Sequence, residues 1–480
     1  MTPTPIGIVV LAFCVLAMGN ATRLAQLILV AGVFEAAAAV ILGSLGVQPG
    51  LVPAGMLVGL VAIHYLAGRR SPAEAPVLGI MAPLLVMFAY AALTAVLMPE
   101  VFAGHIIVWP QKLDPLWLQP VPLAPGQGNL NQVVYLAANV ALSCAAALAF
   151  GRPGTAWASL VRAYLLGGWL VVGIAGWEFV ARTLRLPFPR ELFYSNPGWT
   201  IVEQSLGAMP RLQSTFAEPS ALSFYLVGVA FACTGLCLRG RTVMRADILL
   251  VLVLVAIFLS TSTTGIAAVA IGLPGMLVMA ALRGRKVALK KLLRTLAMPL
   301  VAATLGATAL LVLRPELLVQ IGDVVATTLS KGESDSFAER SAMNAAAWDA
   351  FMASGGLGIG WGSTRASSVV PGLLAGAGLV GLVAVVWFGL CLRRAVRMAR
   401  ALPPHPSAIA MDAFGAALAG QCLAGLLSAP VITTPIFFVQ IGILAAAAIR
   451  ARMDARRERD AIARVATMLA YPAPGGLSGR

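Results

Sequence analysis

The stretch RLQSTFAEPS, residues 211–220, places Arg211 and Glu218 seven positions apart on a polar approach to a long apolar run. A guanidinium can grip phosphate oxygens in a planar fork, and a carboxylate can take the proton of a hydroxyl. Pro219 suits the first turn of a helix and pushes the residue before it out of helical geometry, so Glu218 is the expected N-cap of a span over 220–238. The start of that span offers unpaired N–H groups, and Arg211, Ser214 and Thr215 lie on the chain that approaches it, which outlines an anion site. The plainer alternative is that Arg211 anchors to lipid phosphate and Glu218 only caps the helix. If the site is functional, Glu218 faces a hydroxyl, since it would repel a phosphate placed close to it.

A second constellation is SFAERSAMNAAAWDAFMASGGLGIGWGSTRASS, residues 336–368. Ser336 and Glu339 form a capping-box pattern that starts a helix near Phe337. Phe337, Arg340, Asn344, Trp348 and Phe351 share one face of it, an apolar stripe carrying one arginine and one amide, as expected of a helix lying in the membrane interface. Arg340 there either snorkels to bulk lipid or holds one lipid-borne phosphate. The glycine run over 355–362 fits neither a dinucleotide fingerprint nor a P-loop, which excludes nucleotide binding by those motifs. It reads instead as a turn poor in Cβ atoms that lets its backbone, Trp361 and Arg365 approach a ligand or a neighbouring helix. The third constellation, LSTSTTG at 259–265, crowds hydroxyls, Ser262 and Thr264 among them, at the outer turn between two spans. They either cap and back-bond their helices or bind sugar and phosphate oxygens. Trp109, Trp117, Phe193, Tyr194 and Trp199 could stack on sugar rings or form an interfacial belt.

These groups must be positioned by membrane-spanning helices. The chain of 480 residues is 59% hydrophobic and 11% charged, with a mean hydropathy of +0.89, which excludes an ordinary soluble domain. Stretches such as 75–98, 248–259 with 266–282, and 292–313 are long enough to cross a hydrocarbon core, and hydropathy suggests about 12–14 spans in an all-α polytopic bundle. The first apolar run has no basic residue before it, unlike a secretory leader, and is expected to be the first mature span. The net charge of +15 comes from clusters in short loops, at Arg69 and Arg70, Arg152, 239–245, 283–294, 393–400 and 450–464. If the spans alternate, all of these lie on one side, the cytoplasm, which accounts for the charge without nucleic acid and leaves membrane lipids as partners.

The polar segments at about 99–127, 182–218 and 315–370 then fall outside, as long loops expected to carry short interfacial helices. Residues 1–450 read as a single membrane domain and 451–480 as a basic cytoplasmic tail. The six cysteines fall in expected spans; Cys233 and Cys237 are one turn apart with no histidine nearby, so no metal site is expected. Charge inside the spans is sparse: Glu35, Glu178 and Asp412 are the exceptions, the first two readable as a relay or as buried acids paired with hydroxyls.

The succession FYSNPGW, RLQSTFAEPS opening a span, STSTTG, then ER followed by GGLGIGWGSTRASS and a final GLVGL span resembles the O-antigen ligase-like and polysaccharide polymerase (Wzy-type) superfamily of bacterial inner-membrane proteins, over about 193–382. The resemblance implies transfer of a glycan from a polyprenyl pyrophosphate carrier to an acceptor hydroxyl on the outer, periplasmic face, with no metal, cofactor or nucleotide sugar. It implies that Arg211 and Arg340 bind the pyrophosphate, with chain-length and export proteins as further partners. Glu218 is the carboxylate best placed by sequence to receive the acceptor proton.

Two departures bear on the reaction. Lipid A ligases of this superfamily carry a histidine in the long outer loop before the last GLxG-type span, and 315–370 contains none. His64 and His405 fall at the cytoplasmic side and His105 in another loop, which favours a repeat-unit polymerase over a ligase. Thr263 or Thr264 also stands where relatives have an arginine. A flippase or exporter would place its charges in spans facing a cavity, and a transferase using polyprenyl monophosphate sugars would carry an acidic pair in the first outer loop, where 43–53 has no charge.

Overall fold

The computed structural model of the protein describes residues 2–43, 45–111, 119–198, 205–206, 209–285, 288–294, 297, 335–428 and 434–470. Most of the expected span at 292–313, most of the loop from 315, Trp117 and Trp199 lie outside them. The helices α1 (Pro5–Ala17), α2 (Ala21–Ala31), α3 (Leu51–Leu66), α4 (Glu74–Val101), α5 (Gln127–Phe150), α6 (Trp157–Leu184), α7 (Arg190–Phe193), α8 (Pro219–Cys237), α9 (Ala246–Leu259) and α10 (Thr263–Leu282) form the first part of an all-α bundle. It is completed by α11 (Asp335–Ala353), α12 (Val369–Arg400), α13 (Ala408–Ser428) and α14 (Pro435–Ala470). Among the described residues eight helices are long and apolar enough to cross a membrane, and α1, α2, α3 and α9 are shorter apolar helices. The expected spans at 75–98, 220–238, 248–259 and 266–282 coincide with α4, α8, α9 and α10 to within a few residues.

Burial grades the helices from centre to rim. The apolar window of α14 is 89% buried and that of α8 72%, against 22% for α10. Side chains such as Phe13, Leu66, Val86 and Phe258 stay exposed on the rim, as a lipid-facing surface requires. In the centre α8 packs against α9, α10 and α13, while α14 packs against α5, α12 and α13. Small residues allow the close approach: a Cβ on Gly235 of α8 would come 2.7 Å from the Asp412 carbonyl of α13, the use of glycine typical of helix contacts in membranes.

The two ends of the bundle differ in charge. One end gathers Arg69, Arg152, Arg239, Arg241 and Arg285 at the turns between helices, with Arg400 at the end of α12 and Arg450 within α14, linked by contacts such as Arg152 to the Arg69 carbonyl (3.0 Å) and Arg285 to the Leu238 carbonyl (3.4 Å). His64 and His405 belong to this end, meeting Arg152 and Asp454 respectively. α14 runs on through residue 450, where the basic tail is expected to begin, to Ala470, and the Arg450–Asp454 pair lies one turn apart on it.

The opposite end is where the sequence pattern fell short. Besides the short helix α7 and the longer α11 it carries small ladders: β1 (Thr2–Pro3), β2 (Val40–Leu42) and β3 (Leu45–Val47) in one sheet, β4 (Ile107–Val108) with β5 (Val121–Pro122), and β6 (Ser205–Leu206) with β7 (Met209–Pro210), all antiparallel. Strands of two or three residues are too short to show a two-residue periodicity.

Candidate functional site

The site forms where α6, the segment 209–218, the α9–α10 turn and α11 meet at the end away from the basic turns. Its foundation is Glu178, fully buried near the end of α6 and paired with Arg182 one turn on at 2.6 Å. The Glu178 carboxylate also accepts the backbone N–H groups of Gln213 (3.2 Å) and Ser214 (2.7 Å), and Arg182 donates to the Arg211 carbonyl at 3.1 Å. A buried carboxylate is tolerated because a cation and two amides compensate its desolvation. The segment that carries Arg211 is thereby fixed to a membrane helix.

Ser214 and Thr215 do not present their hydroxyls to a ligand as the sequence suggested. Both are fully buried; Ser214 donates to the Val171 carbonyl at 2.9 Å and Thr215 to the carbonyl of Val33. Ser214 sits at φ 53, the left-handed region, a conformation these bonds hold in place. Tyr194 donates to the Ser214 carbonyl at 2.9 Å. Phe193 is buried in a cluster with Phe34, Phe188 and Trp177, and Trp109 is buried as well. These aromatics act as packing and ties, so the sugar-stacking role does not fall to them.

Arg211 is half-buried, and its Nε donates to Thr261 Oγ1 at 2.9 Å and to the Ser260 carbonyl at 3.3 Å. Thr261 itself has φ 50, which turns its hydroxyl toward the arginine at the α9–α10 turn. The neighbouring hydroxyls follow the structural alternative: Ser260 bonds Ser223 Oγ (2.8 Å) and the Ile257 carbonyl (2.7 Å), and Ser262 caps α10. Thr264 is half-buried in the first turn of α10. The turn thus holds the arginine through Thr261, a residue the sequence did not single out.

Arg340, half-buried on α11, approaches the same place from a distant part of the chain. Burial, and after it the charge of Arg340, lower the proton affinity of Arg211 below its ordinary value, while Glu218 acts the opposite way. Two like charges in a partly desolvated setting repel each other, and an anion between them would relieve the repulsion.

Glu218 is the N-cap of α8 in backbone geometry (φ −139, ψ 151), yet its carboxylate does not cap. It accepts from Ser220 Oγ at 2.9 Å and stays half-buried. Beside it is Glu35, which the sequence placed inside a span; α2 ends at Ala31, so Glu35 lies on the connection that follows. That connection is tied down by Ala36 N–H to the Thr215 carbonyl (3.0 Å), by Ala38 N–H to Ser195 Oγ (3.2 Å) and by Asn196 Nδ2 to the Gly46 carbonyl (3.2 Å). The residues SN of the FYSNPGW motif do this tying. Burial, and secondly the Glu218 charge, push the Glu35 carboxyl up to about 7. The signal for it in the sequence is Gly32, three residues earlier, which forms the C-cap of α2 within an apolar run that itself continues on both sides.

The remaining expected residues frame the site. Asn344 accepts the backbone N–H groups of Ser367 (2.9 Å) and Ser368 (3.0 Å), fixing the start of α12 to α11. Arg365 is half-buried two residues before that anchor, and its N–H donates to the Trp109 carbonyl at 2.7 Å. Trp361 is buried, packing against Gly376, with its carbonyl taken by Asn129 at 3.0 Å. On α11 the expected stripe is divided: Phe337 and Trp348 are exposed, Arg340, Asn344 and Phe351 are half-buried, and Met343, Ala347 and Ala350 pack inward. The glycine run approaches a neighbouring helix. It threads against α12, where Gly378 breaks the helix (φ 59, ψ −165) and Leu379 N–H and the Ala375 carbonyl bond Gly356 and Ile359 instead.

Neither a protein-family model nor a curated protein matches the chain. What the site can do follows from its groups: two guanidinium groups able to hold a polyanion, and two carboxylates beside them, one kept protonated to near neutrality.

Proposed function

We propose that the protein is a glycosyltransferase of a bacterial inner membrane that polymerises polysaccharide repeat units on the periplasmic face, taking its donor glycan from a polyprenyl pyrophosphate carrier. The observation that carries the reading is the convergence of Arg211 and Arg340, from separate segments, beside Glu218 and Glu35. Membrane helices lead a lipid-linked donor to such a site, and the opposite, arginine-rich end fits the cytoplasmic side under the positive-inside rule.

In this mechanism the bond between the anomeric carbon and the pyrophosphate oxygen breaks, and a bond from that carbon to the acceptor hydroxyl oxygen forms. The pyrophosphate leaves on its polyprenol, its charge stabilised by the two arginines. The acceptor proton passes to a carboxylate, Glu218 or its partner Glu35. Pyrophosphate is a good leaving group, so alignment and charge stabilisation supply most of the needed acceleration. The test is to incubate the purified protein in nanodiscs with a lipid-linked repeat unit and resolve the products by size. A ladder of longer glycans on the carrier, absent with Arg211→Ala and with Arg340→Ala, supports the reading; an unchanged donor overturns it.

A further inference from the structure

The basic end holds a cavity of about 490 Å³, enclosed by the end of α8, the turn 239–242, the start of α9 and the chain following α10. Arg239, Arg241, Arg285 and Lys291 line it, with Asp247 as the acidic residue of the lining and Leu238, Ala288 and Leu292 as its apolar wall. Arginines in such turns ordinarily point to water or bulk lipid. Here they turn inward: Arg239, Arg241 and Arg400 all converge on Asp412, a buried carboxylate of α13, at 3.3, 3.1 and 3.5 Å.

One carboxylate does not neutralise three guanidinium groups. Arg285 adds to the excess: burial first, then Arg239, lowers its proton affinity, and Asp412 only partly opposes this. Among the described residues here Arg239, Arg241, Arg283, Arg285, Lys291 and Arg400 gather about Asp412 and Asp247, and Asp247 is itself paired with Arg245 at 3.8 Å, so cations outnumber acids. The volume falls within the range of ligand pockets, about 300–1,000 Å³, and a polar floor beneath an apolar wall suits a headgroup with part of its tail.

We propose that this cavity binds a phosphate-bearing anion, with Asp412 holding Arg239 and Arg241 in position to receive it. The inference is independent of the reaction proposed for the other end. The phosphate can be that of an anionic lipid headgroup or of a soluble molecule, since both offer the same oxygens to guanidinium forks.

The test compares the full chain with the Arg285→Gln/Lys291→Gln double variant, which leaves the three Asp412 ion pairs in place; its ligand-free Tm is measured first, so that the loss of the Arg285 bond to the Leu238 carbonyl is separated from the loss of binding. Thermal unfolding is followed at constant ionic strength, in detergent with inorganic phosphate or pyrophosphate, and in phosphatidylcholine nanodiscs with and without phosphatidylglycerol. A saturable rise in Tm that the double variant shows only at about tenfold or higher ligand concentration, equivalent to about 1.4 kcal/mol of binding, supports the site. A rise with phosphatidylglycerol alone assigns the lipid source, and a rise with free phosphate assigns the soluble one. Equal shifts in both proteins, or no saturable shift with any probe, overturn the proposal. Asp412→Asn is the second variant: it should weaken the same response while Arg285 and Lys291 remain, and an unaltered response would remove Asp412 from the site.

Discussion

The Glu178 carboxylate, buried in a membrane helix, accepts the backbone N–H of Ser214 in the outer segment at 2.7 Å. Through this bond, its neighbour from Gln213 and the Arg182 pair, a polar loop takes its shape from the interior of the bundle. Removing the carboxylate leaves a half-buried arginine and two buried amides without it. Glu178→Ala should therefore cost about 3 kcal/mol of stability, read as a lowered Tm, whereas Glu178→Gln should retain part of it. Both variants should lose transfer activity by more than their remaining folded fraction explains, because Arg211 rides on the same segment.

The approach of Arg340 to Arg211 costs folding free energy, so function and stability should separate there. Arg340→Ala is expected to unfold within about 1 kcal/mol of the parent or above it, while abolishing glycan transfer. Pyrophosphate should raise the Tm of the parent protein and leave that of Arg340→Ala unchanged. A variant that loses stability and keeps pyrophosphate protection would mean that the arginine supports structure alone.

The proton held by Glu35 sets a pH dependence. Its carboxyl is raised from 4.5 to about 7 in the fold, so between those values the folded protein binds the extra proton and the unfolded chain does not. Stability should be fullest below about 4.5 and decline as pH rises through 7, and Glu35→Gln should flatten that decline. If a carboxylate of this pair receives the acceptor proton, turnover should rise across the same interval toward a plateau. Removing the neighbouring charge with Glu218→Gln should move the Glu35 inflection to lower pH, measurable in a pH series of Tm.

The glycine loop offers a test of packing separate from chemistry. Gly358 has φ 82, and a Cβ there would lie 2.6 Å from the Gly378 nitrogen at the break in α12. Gly358→Ala should destabilise by about 2 kcal/mol or more, from backbone strain and the clash together. Gly275, inside α10 with open space around it, serves as the contrast. Gly275→Ala should be neutral or stabilising by up to about 1 kcal/mol.

The residues FYSNPGW, RLQSTFAEPS and ER were visible as a set in the sequence, and their arginines and Glu218 do meet at one end of the bundle. Their individual assignments divide. Pro219 fixed the start of α8 and the cap position of Glu218 because proline restricts its own backbone and that of its neighbour. Ser214, Thr215, Asn344 and Trp361 looked like ligand groups because residue type does not reveal direction, and each is used by a backbone partner or by packing. Glu35 and Thr261 went unnoticed as site residues, one because the helix before it ends earlier than hydropathy suggests, the other because its left-handed backbone aims it at Arg211.

By itself the sequence determined that the chain is a bundle of apolar helices, where most of them run, and which turns are basic, since hydrophobic length and charge act locally and are written along the chain. The tertiary structure alone decided that Glu178 braces the Arg211 segment, that Arg340 joins Arg211, that Glu35 stands beside Glu218, and that three arginines share Asp412. Each depends on contacts between residues far apart in sequence, where direction, burial and neighbouring charge are set by how the helices pack and by nothing in the residues taken one at a time.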